Sequence, residues 1–279
     1  MADIGYNNNR ILTILSEYIN NASDAVSAEM VYETVESCGV SVEEAFRILF
    51  CGIFDIYSDR ELRNGWIRKM FKCLDSEVYE NDPYKRLIKF PKVSDGEWSF
   101  FEGAYKPFEV FVYNDLTSDE DGRIIPCIGF FENEYKFPAV SQNGREWMLI
   151  TPNEIETMKD PVANAFGDVV TYGLGLGYFA FMASEKKEVS SVTVVERDEN
   201  VIKLFLEYIL PQFPCKEKIR IIHGDALEYA ASDHPCDYVF ADIWHDPSDG
   251  CALYKKLKTL EREGVKYSYW IENTLKYYL

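Results

Sequence analysis

The sequence feature that most constrains the fold is a glycine-rich turn within residues 168–180, between an apolar, β-prone run and a helix-compatible run. Gly173, Gly175 and Gly177 stand at alternate positions in it. A strand that ends in such a turn and opens a helix lets the backbone approach a ligand closely. The G-x-G-x-G spacing differs from the G-x-G-x-x-G spacing of dinucleotide-binding turns. Because the turn alone is weak support for any function, its meaning depends on the strands and helices after it in the chain.

Strands and helices alternate from this turn onward, which predicts a parallel sheet with right-handed crossovers. Apolar, β-prone runs are separated by segments with helical periodicity. In such sheets a ligand lies beyond the carboxyl ends of the strands, so we expect functional residues there. The predicted strands cover residues 169–172, 191–196, 218–222, 237–242 and 265–270.

Several of these strands end in polar residues. Glu196 follows the glycines by about 20 residues, where an acid can accept both hydroxyls of a ribose. Asp225, which follows Gly224, is placed to accept a hydrogen bond from an exocyclic base amine. Asp242 ends the fourth strand. Each acid could instead serve only as the N-cap of the helix that follows it. Capping alone explains less well why acids follow the glycine turn at the ends of successive strands.

This order resembles the class I S-adenosylmethionine-dependent methyltransferases, and within them the spermidine synthase-like branch. The resemblance covers residues 143–279. It implies a Rossmann-like α/β fold in which the glycine turn approaches the methionine part of S-adenosylmethionine and Glu196 binds its ribose. It also implies that Asp225 contacts the adenine amine and that Asp242 lies at the substrate edge. The residues that the resemblance assigns to the cofactor site are Thr171, Gly173, Gly175, Gly177, Tyr178, Glu196, Arg197, Gly224, Asp225, Ala226 and Asp242.

Two departures from the family pattern bear on the reaction. Thr171 stands where the family usually has an acid, and Leu174 and Leu176 stand where aminopropyltransferases carry an aspartate in the turn. We therefore favour an S-adenosylmethionine-dependent methyltransferase that acts on a small, amine-bearing substrate. The alternatives are an aminopropyltransferase resembling polyamine synthases and a non-catalytic nucleoside-binding protein of the same fold. The glycine spacing disfavours a nicotinamide dehydrogenase.

The catalytic candidates are Asp242 and His245. Methyl transfer requires in-line positioning and removal of a proton from the nucleophile. Asp242 and Asp246 can orient a cationic amine, and histidine is a base suited to neutral pH. Trp244 or Tyr178 can stack on adenine or hold a cation. The alternative for His245 is a hydrogen-bonded loop residue.

The chain before the turn divides by composition. We predict a helical domain over residues 1–80, a small β-rich region over 81–150 and the Rossmann-like domain over 151–279. One helix is expected over residues 60–74 and an acidic hairpin turn at 119–122. Pro152 favours a helix start. Glu154, in the first turn of that helix, either faces the ligand or stabilises the helix N-terminus.

The net charge of −18, concentrated in the first 160 residues, bears on partners. Such acidity disfavours nucleic acid and anionic membranes and favours a cationic small-molecule substrate, unless it serves solubility alone. An odd count of seven cysteines without C-x-x-C predicts neither disulfides nor a metal site and suits a cytoplasmic protein. We expect neither a signal peptide nor a membrane span. The last predicted strand leaves a sheet edge, so we expect a homo-oligomer.

Overall fold

The computed structural model describes residues 3–279. Within them, no helix is both long and apolar enough to cross a membrane. The α-helices are α1 (Ile4–Ala22), α2 (Ala28–Cys38), α3 (Val42–Ile53), α4 (Arg60–Leu62), α5 (Arg68–Met70), α6 (Ser76–Glu80), α7 (Pro83–Leu87), α8 (Pro152–Asn164), α9 (Tyr178–Ser184), α10 (Glu199–Leu204), α11 (Ala226–Ala230), α12 (Pro247–Lys258) and α13 (Glu272–Tyr278). Short π-helical and 3-10 segments are Arg63–Ile67, Phe205–Ile209, Leu210–Gln212 and Lys216–Lys218.

The strands within residues 3–279 form three sheets. Their orders are β1-β5-β4, β2-β3-β6-β7 and β10-β9-β8-β11-β12. The strands are β1 (Phe71–Cys73), β2 (Ser94–Asp95), β3 (Trp98–Tyr105), β4 (Phe111–Ser118), β5 (Ile124–Phe130), β6 (Tyr135–Gln142), β7 (Arg145–Leu149), β8 (Gly167–Tyr172), β9 (Val189–Glu196), β10 (Ile219–His223), β11 (Tyr238–Ala241) and β12 (Lys266–Tyr269).

The chain forms two compact units. The first unit contains the residues up to Val78 and Gly103–Phe137, and the second contains Tyr79–Glu102 and Pro138–Leu279. The boundaries between the units fall inside α6, β3 and β6. The three-domain division predicted from composition stays a prediction.

The first unit is built around an aromatic core. Tyr18, Phe46, Phe50, Trp66 and Phe130 are all fully buried in it. The ring of Phe46 on α3 stacks on that of Phe130 on β5 with centroids 4.4 Å apart. Large flat side chains bury much apolar area and have preferred ring geometries, so these contacts fix the helices against the sheet.

The predicted helix over residues 60–74 is wrong in its last part. Helical structure stops at Met70, and the next three residues form β1, which pairs in parallel with Ile128–Phe130. The guanidinium of Arg47 also donates a hydrogen bond of 3.0 Å to the first carbonyl of β1. The strand exists because a distant segment supplies its backbone partners, and helical periodicity cannot report such a partner.

The predicted acidic hairpin turn joins β4 to β5, as expected. Asp119 accepts from the amide of Arg123 at 3.0 Å and forms an ion pair of 2.6 Å with Lys69. On the same turn, the carbonyl of Gly122 accepts a hydrogen bond of 3.2 Å from the side-chain amide of Asn8. The carboxylate of Asp119 is thus used by a cationic side chain and a backbone amide of the same unit.

The second unit contains the predicted parallel sheet. All four strand pairs in the order β10-β9-β8-β11-β12 are parallel, and Val169, Val170, Thr171 and Tyr172 of the central strand are buried. Strands are added first on one side of β8 (β9, then β10) and then on its other side (β11, then β12). The topological switch point therefore lies between the carboxyl ends of β8 and β11. The α/β, Rossmann-like fold is confirmed. Self-association through an edge strand stays a prediction.

Candidate functional site

Two glycines of the turn after β8 are required by close packing. Gly173 has φ of +91°, and a Cβ there would lie 2.0 Å from the carbonyl oxygen of Asp242. Gly177 has φ of +82°, and its Cβ would lie 2.4 Å from the ring of Phe205. Side chains larger than hydrogen are excluded at both positions. The turn is therefore held against the carboxyl end of β11 on one side and the segment after α10 on the other.

Gly175 has a different role, because its surroundings are open. Its φ is +53°, and the nearest atom to an added methyl group would be the sulfur of Met148 at 3.6 Å. The residue lies on the wall of a cavity. A glycine here keeps that space free of side-chain atoms.

The cavity has a volume of about 350 Å³ and opens at the carboxyl ends of β8, β9, β10 and β11. That volume lies within the range of small-molecule sites, and the location is the switch point of the sheet. The structure brings most of the predicted site residues together on its wall. These are Gly173, Gly175, Glu196, Arg197, Gly224, Asp225, Ala226, Asp242 and His245.

Three predicted residues, Thr171, Gly177 and Tyr178, lie outside this wall. Thr171 is buried within β8. The ring of Tyr178 is also buried, and its hydroxyl donates a hydrogen bond of 2.8 Å to Asp82 Oδ2. This position is at odds with the stacking role predicted for Tyr178, because no face of the ring lines the cavity. The residue instead fixes the start of α9.

A second tyrosine secures the same turn. The hydroxyl of Tyr84 donates a hydrogen bond to the carbonyl oxygen of Leu176. The segment that carries Tyr84 is itself held by Asp82, whose Oδ1 accepts from the amides of Tyr84 at 2.9 Å and Lys85 at 3.2 Å. Sequence reasoning missed α7 and these contacts. Asp82 before Pro83 is a helix-start pattern that could have revealed the helix, although not its partner.

Glu196 is tied into the glycine turn by its carboxylate. Oε2 accepts from the amide of Leu174 at 3.0 Å, and Oε1 accepts from the amide of Asp198 at 2.9 Å. Each carboxylate oxygen has a further lone pair, so these bonds leave Glu196 able to accept from a ligand. The carbonyl of Glu196 also accepts from the amide of Gly224, at 2.9 Å, which joins two strand ends.

Asp225 satisfies both sequence interpretations, as a helix N-cap and as a residue of the cavity wall. It caps α11, because Oδ1 accepts from the amides of Leu227 at 2.8 Å and Glu228 at 3.1 Å. It also lies on the cavity wall. Since the cap uses one carboxylate oxygen, the second remains available to a donor in the cavity.

Glu154 and Asp242 form a pair of carboxyl groups on the same cavity wall. Burial raises the pKa of Asp242 to about 7. Burial, and then the charge of Asp242, raise the pKa of Glu154 well above its ordinary value. Two interacting carboxyl groups of this kind retain a proton between them near neutral pH. Of the two sequence alternatives for Glu154, its position favours the one that faces a ligand.

His245 lies at the mouth of the cavity beside two residues that sequence reasoning missed. Its Nδ1 is 3.2 Å from Oδ2 of Asp249, and its ring meets that of Trp147 edge-on at 5.0 Å. Asp249 also accepts from the amide of Asp246, at 3.1 Å. The pattern Asp246-Pro247 followed by Asp249 is typical of a capping box. Asp246 is the N-cap of α12, so its carboxylate serves the helix.

The charge and donors of the cavity favour a cationic ligand. Its wall carries four carboxyl groups and one guanidinium. Trp244 also lines the wall, and its indole Nε1 is buried without a hydrogen-bond partner among residues 3–279. Those residues contain no group of three histidine, cysteine or acidic side chains placed to hold a metal ion.

Comparison with known proteins yields likeness in structure only. No protein-family model matches the chain, and no curated protein matches its sequence. A spermidine synthase in complex with a transition-state analogue is similar at 18% identity, with 49% of this chain and 54% of that chain covered and a TM-score of 0.37. Spermidine synthase from Thermotoga maritima is similar at 17% identity, with 49% of this chain and 52% of that chain covered and a TM-score of 0.33.

A proposed S-adenosyl-L-methionine-dependent methyltransferase from Methanococcus maripaludis is similar at 11% identity, with 43% of this chain and 59% of that chain covered and a TM-score of 0.32. The chain therefore spans between 52% and 59% of the length of these three proteins. Likeness at these levels carries no argument about activity. The functional evidence lies in the cavity itself.

Proposed function

We propose that the second unit binds S-adenosylmethionine in this cavity and transfers its methyl group to a small, amine-bearing substrate. One observation carries the proposal. The glycine turn, Glu196, Asp225 and the Glu154–Asp242 pair come from separate elements and line one cavity at the switch point of a parallel sheet. This arrangement supplies close backbone approach, hydroxyl and amine acceptors, and negative charge in a single place.

The residues present suit an adenosyl sulfonium. Gly175 leaves the turn side of the cavity open. Asp225 keeps one carboxylate oxygen for a hydroxyl or amine donor, and the two oxygens of Glu196 each keep a further lone pair. The carboxyl pair of Glu154 and Asp242 favours positive charge on the ligand.

When bound, the cofactor supplies an activated methyl group on a positively charged sulfur. The chain has to orient the amine in line with that methyl group and remove one proton from the amine nitrogen. An ionised Asp242 can accept that proton at a carboxylate oxygen, and Glu154 can hold the amine beside it. The ring of Trp147 meets that of His245 edge-on, and Nε2 of His245 is a second candidate proton acceptor.

A second candidate is favoured by the excess of acid. Four carboxyl groups on the wall repel the carboxylate of S-adenosylmethionine itself, whereas the decarboxylated cofactor lacks that group. Transfer of an aminopropyl group to an amine is therefore the competing reaction. Leu174 and Leu176 in the turn oppose it, because they replace the aspartate expected of such enzymes.

Isothermal titration calorimetry with five compounds distinguishes these functions. They are S-adenosylmethionine, its demethylated product, its decarboxylated form, methylthioadenosine and NAD. Binding of only the first two supports methyl transfer, and preferred binding of the decarboxylated form supports aminopropyl transfer. Absence of binding by every adenosyl compound refutes both. Cofactor binding without transfer of labelled methyl to any of a panel of small amines would indicate the non-catalytic alternative.

Two substitutions test the placement of the ligand. Gly175→Arg fills the cavity and should abolish binding of the adenosyl compound. Gly264→Arg is the matched control, since Gly264 has φ of +83° and nothing within 4 Å of its Cβ position. Both changes place a side chain on backbone of positive φ, so the main difference between them is the cavity. Equal affinity in the two variants would contradict the proposed site.

A further pair tests the carboxyl groups. Asp242→Asn and Glu154→Gln should each lower the turnover of an amine substrate by at least about 100-fold, the usual scale of proton-transfer catalysis. Asp160→Asn is the control, because Asp160 is exposed on the same helix as Glu154. Unchanged turnover in both cavity variants would remove the carboxyl pair from the reaction.

A further inference from the structure

The first unit has a cavity of its own, with a volume of about 330 Å³. Three arginines line it, together with polar and acidic groups on the same wall. The lining includes Glu44, Arg47, Tyr57, Arg63, Asn64 and Arg68. Clustered guanidinium groups are unusual in a chain whose net charge is −18. In such a chain most cationic side chains have acidic neighbours. Whether this cavity favours an anionic ligand therefore depends on which of the three arginines are already paired with carboxylates.

The charge of Arg47 is paired within the protein, although its Nε is buried without a hydrogen-bond partner among residues 3–279. Its Nη2 lies 3.0 Å from Glu43 Oε2, and its Nη1 lies 3.2 Å from Glu44 Oε2. Nη2 also donates to the carbonyl of Phe71. The charge of Arg47 is thus compensated, and its contribution to the cavity is structural.

Arg63 and Arg68 are not compensated in this way. Neither forms an ion pair or a side-chain hydrogen bond with any residue in the described range 3–279. The guanidinium of Arg63 lies 4.8 Å from the ring centroid of Tyr57, and its Nε is buried without a hydrogen-bond partner in that range. A buried donor of this kind lowers its free energy when an acceptor reaches it.

The local backbone brings these two arginines to the same cavity. Residues five apart on an α-helix diverge by about 140° around its axis. The segment Arg63–Ile67 is instead π-helical, and the amide of Arg68 donates to the carbonyl of Arg63. One wider turn therefore separates the two residues, which places them on neighbouring lines of one face. Single π-turns of this kind are frequent at functional sites.

We propose that this cavity binds a small oxyanion with two or more negative charges, held chiefly by Arg63 and Arg68. Guanidinium groups present paired N–H donors that match the oxygens of phosphate and carboxylate groups. Asn64 and Tyr57 supply further polar contacts on the same wall. Two uncompensated cations match an anion of at least two charges. The residues of this site all belong to the first unit, and none of them lines the cavity of the second unit.

Isothermal titration calorimetry at low ionic strength tests this site, with inorganic pyrophosphate and citrate as separate ligands. We expect one equivalent of at least one of them to bind, with affinity that falls as salt is added. Tighter binding of pyrophosphate would indicate that the natural ligand is a phosphate compound, and tighter binding of citrate would indicate a polycarboxylate. Absence of binding by both anions would overturn the proposal.

Matched arginine variants locate the binding. Arg68→Gln should weaken the anion by about tenfold or more, which is the scale of a lost charge-assisted contact. Arg60→Gln is the control, because Arg60 is exposed on the preceding helical turn and lies outside the cavity wall. Arg63→Gln should have the larger effect, and circular dichroism checks its folding. Because Arg68 is exposed, its variant keeps the test decisive even if Arg63→Gln unfolds. Equal weakening in Arg60→Gln and Arg68→Gln would contradict the proposed site.

Discussion

The hydroxyl of Tyr178 donates a hydrogen bond of 2.8 Å to the buried carboxylate of Asp82, which ties the first residue of α9 to the segment before α7. Tyr178→Phe removes that donor and leaves a buried carboxylate oxygen without it. We expect a loss of about 2 kcal/mol in the free energy of unfolding, the scale of a hydrogen bond to a charged group. Urea denaturation measures it. Tyr278→Phe, on an exposed ring, is the control, and an equal loss there would contradict the assignment.

The pH dependence of stability should report the carboxyl pair. The folded-state pKa of Asp242, about 7, lies above the value near 4 of an unfolded chain. The folded state therefore keeps a proton that the unfolded state has released, and this group lowers stability as pH rises from about 4 to 7. Asp242→Asn should remove that decline and be more stable than the parent at pH 8 by on the order of 2 kcal/mol.

Denaturant midpoints at several pH values between about 4 and 8 measure this difference. Asp160→Asn, at an exposed position, should leave the slope of stability against pH unchanged. A variant at Asp242 with the slope of the parent would show that its carboxyl group titrates normally in the folded protein.

The glycines of the turn should differ in tolerance to alanine. Gly173→Ala places a methyl group 2.0 Å from the carbonyl oxygen of Asp242, which no side-chain rotation can relieve. We expect a loss of at least about 3 kcal/mol, or no folded protein. Gly175→Ala, with its nearest atom at 3.6 Å, should lose only about 1 to 2 kcal/mol from backbone strain. Thermal and urea denaturation of both variants give the order, and the reverse order would contradict the packing described.

The tautomer of His245 should be set by Asp249. With the carboxylate 3.2 Å from Nδ1, the neutral ring should carry its hydrogen on Nδ1 and leave Nε2 as the acceptor. Asp249→Ala should shift the ring toward the other tautomer and cost about 1 kcal/mol through the lost helix cap. Long-range proton–nitrogen correlation spectra above neutral pH identify the tautomer. His234, which stacks on Tyr229, is the internal control and should not change.

A buried amide should be critical to the first unit. Oδ1 of Asn8 accepts from the indole of Trp66 and from the amide of Ile124, both at 2.9 Å, and Nδ2 donates to the carbonyl of Gly122. Asn8→Ala leaves all three groups without their partner, so we expect a loss of about 3 kcal/mol. Asn20→Ala, exposed on the same helix, should stay within about 0.5 kcal/mol of the parent by urea denaturation. Equal stability of the two variants would refute the role of Asn8.

The parallel sheet and its strand-end residues could be predicted because their causes are local. Apolar β-prone runs alternate with helical periodicity, and parallel strands bring their carboxyl ends to one edge. Glu196, Asp225 and Asp242 were found in that way. The residues missed depend on distant partners. The strand Phe71–Cys73 requires β5, and Trp147 gains meaning only from its contact with His245.

The same limit applies to Tyr178. Nothing in the neighbouring sequence indicates that Asp82 accepts a hydrogen bond from its hydroxyl and that the ring is buried outside the cavity wall. The Glu154–Asp242 pair was only half predicted for a similar reason. Each carboxyl group could be placed near a ligand, but the effect of Asp242 on the pKa of Glu154 requires the two elements to meet.

The amide of Leu174 donates to Oε2 of Glu196, so the exchange rate of this amide hydrogen should depend on what else that carboxylate contacts. Any compound that draws on the carboxylate of Glu196 competes with, or tightens, the bond that shields this one backbone hydrogen from exchange with solvent. Deuterium uptake at Leu174 should therefore report ligand contacts with Glu196 without a label on the ligand. A single proton of the main chain thus gives a readout that is independent of which group, if any, is transferred.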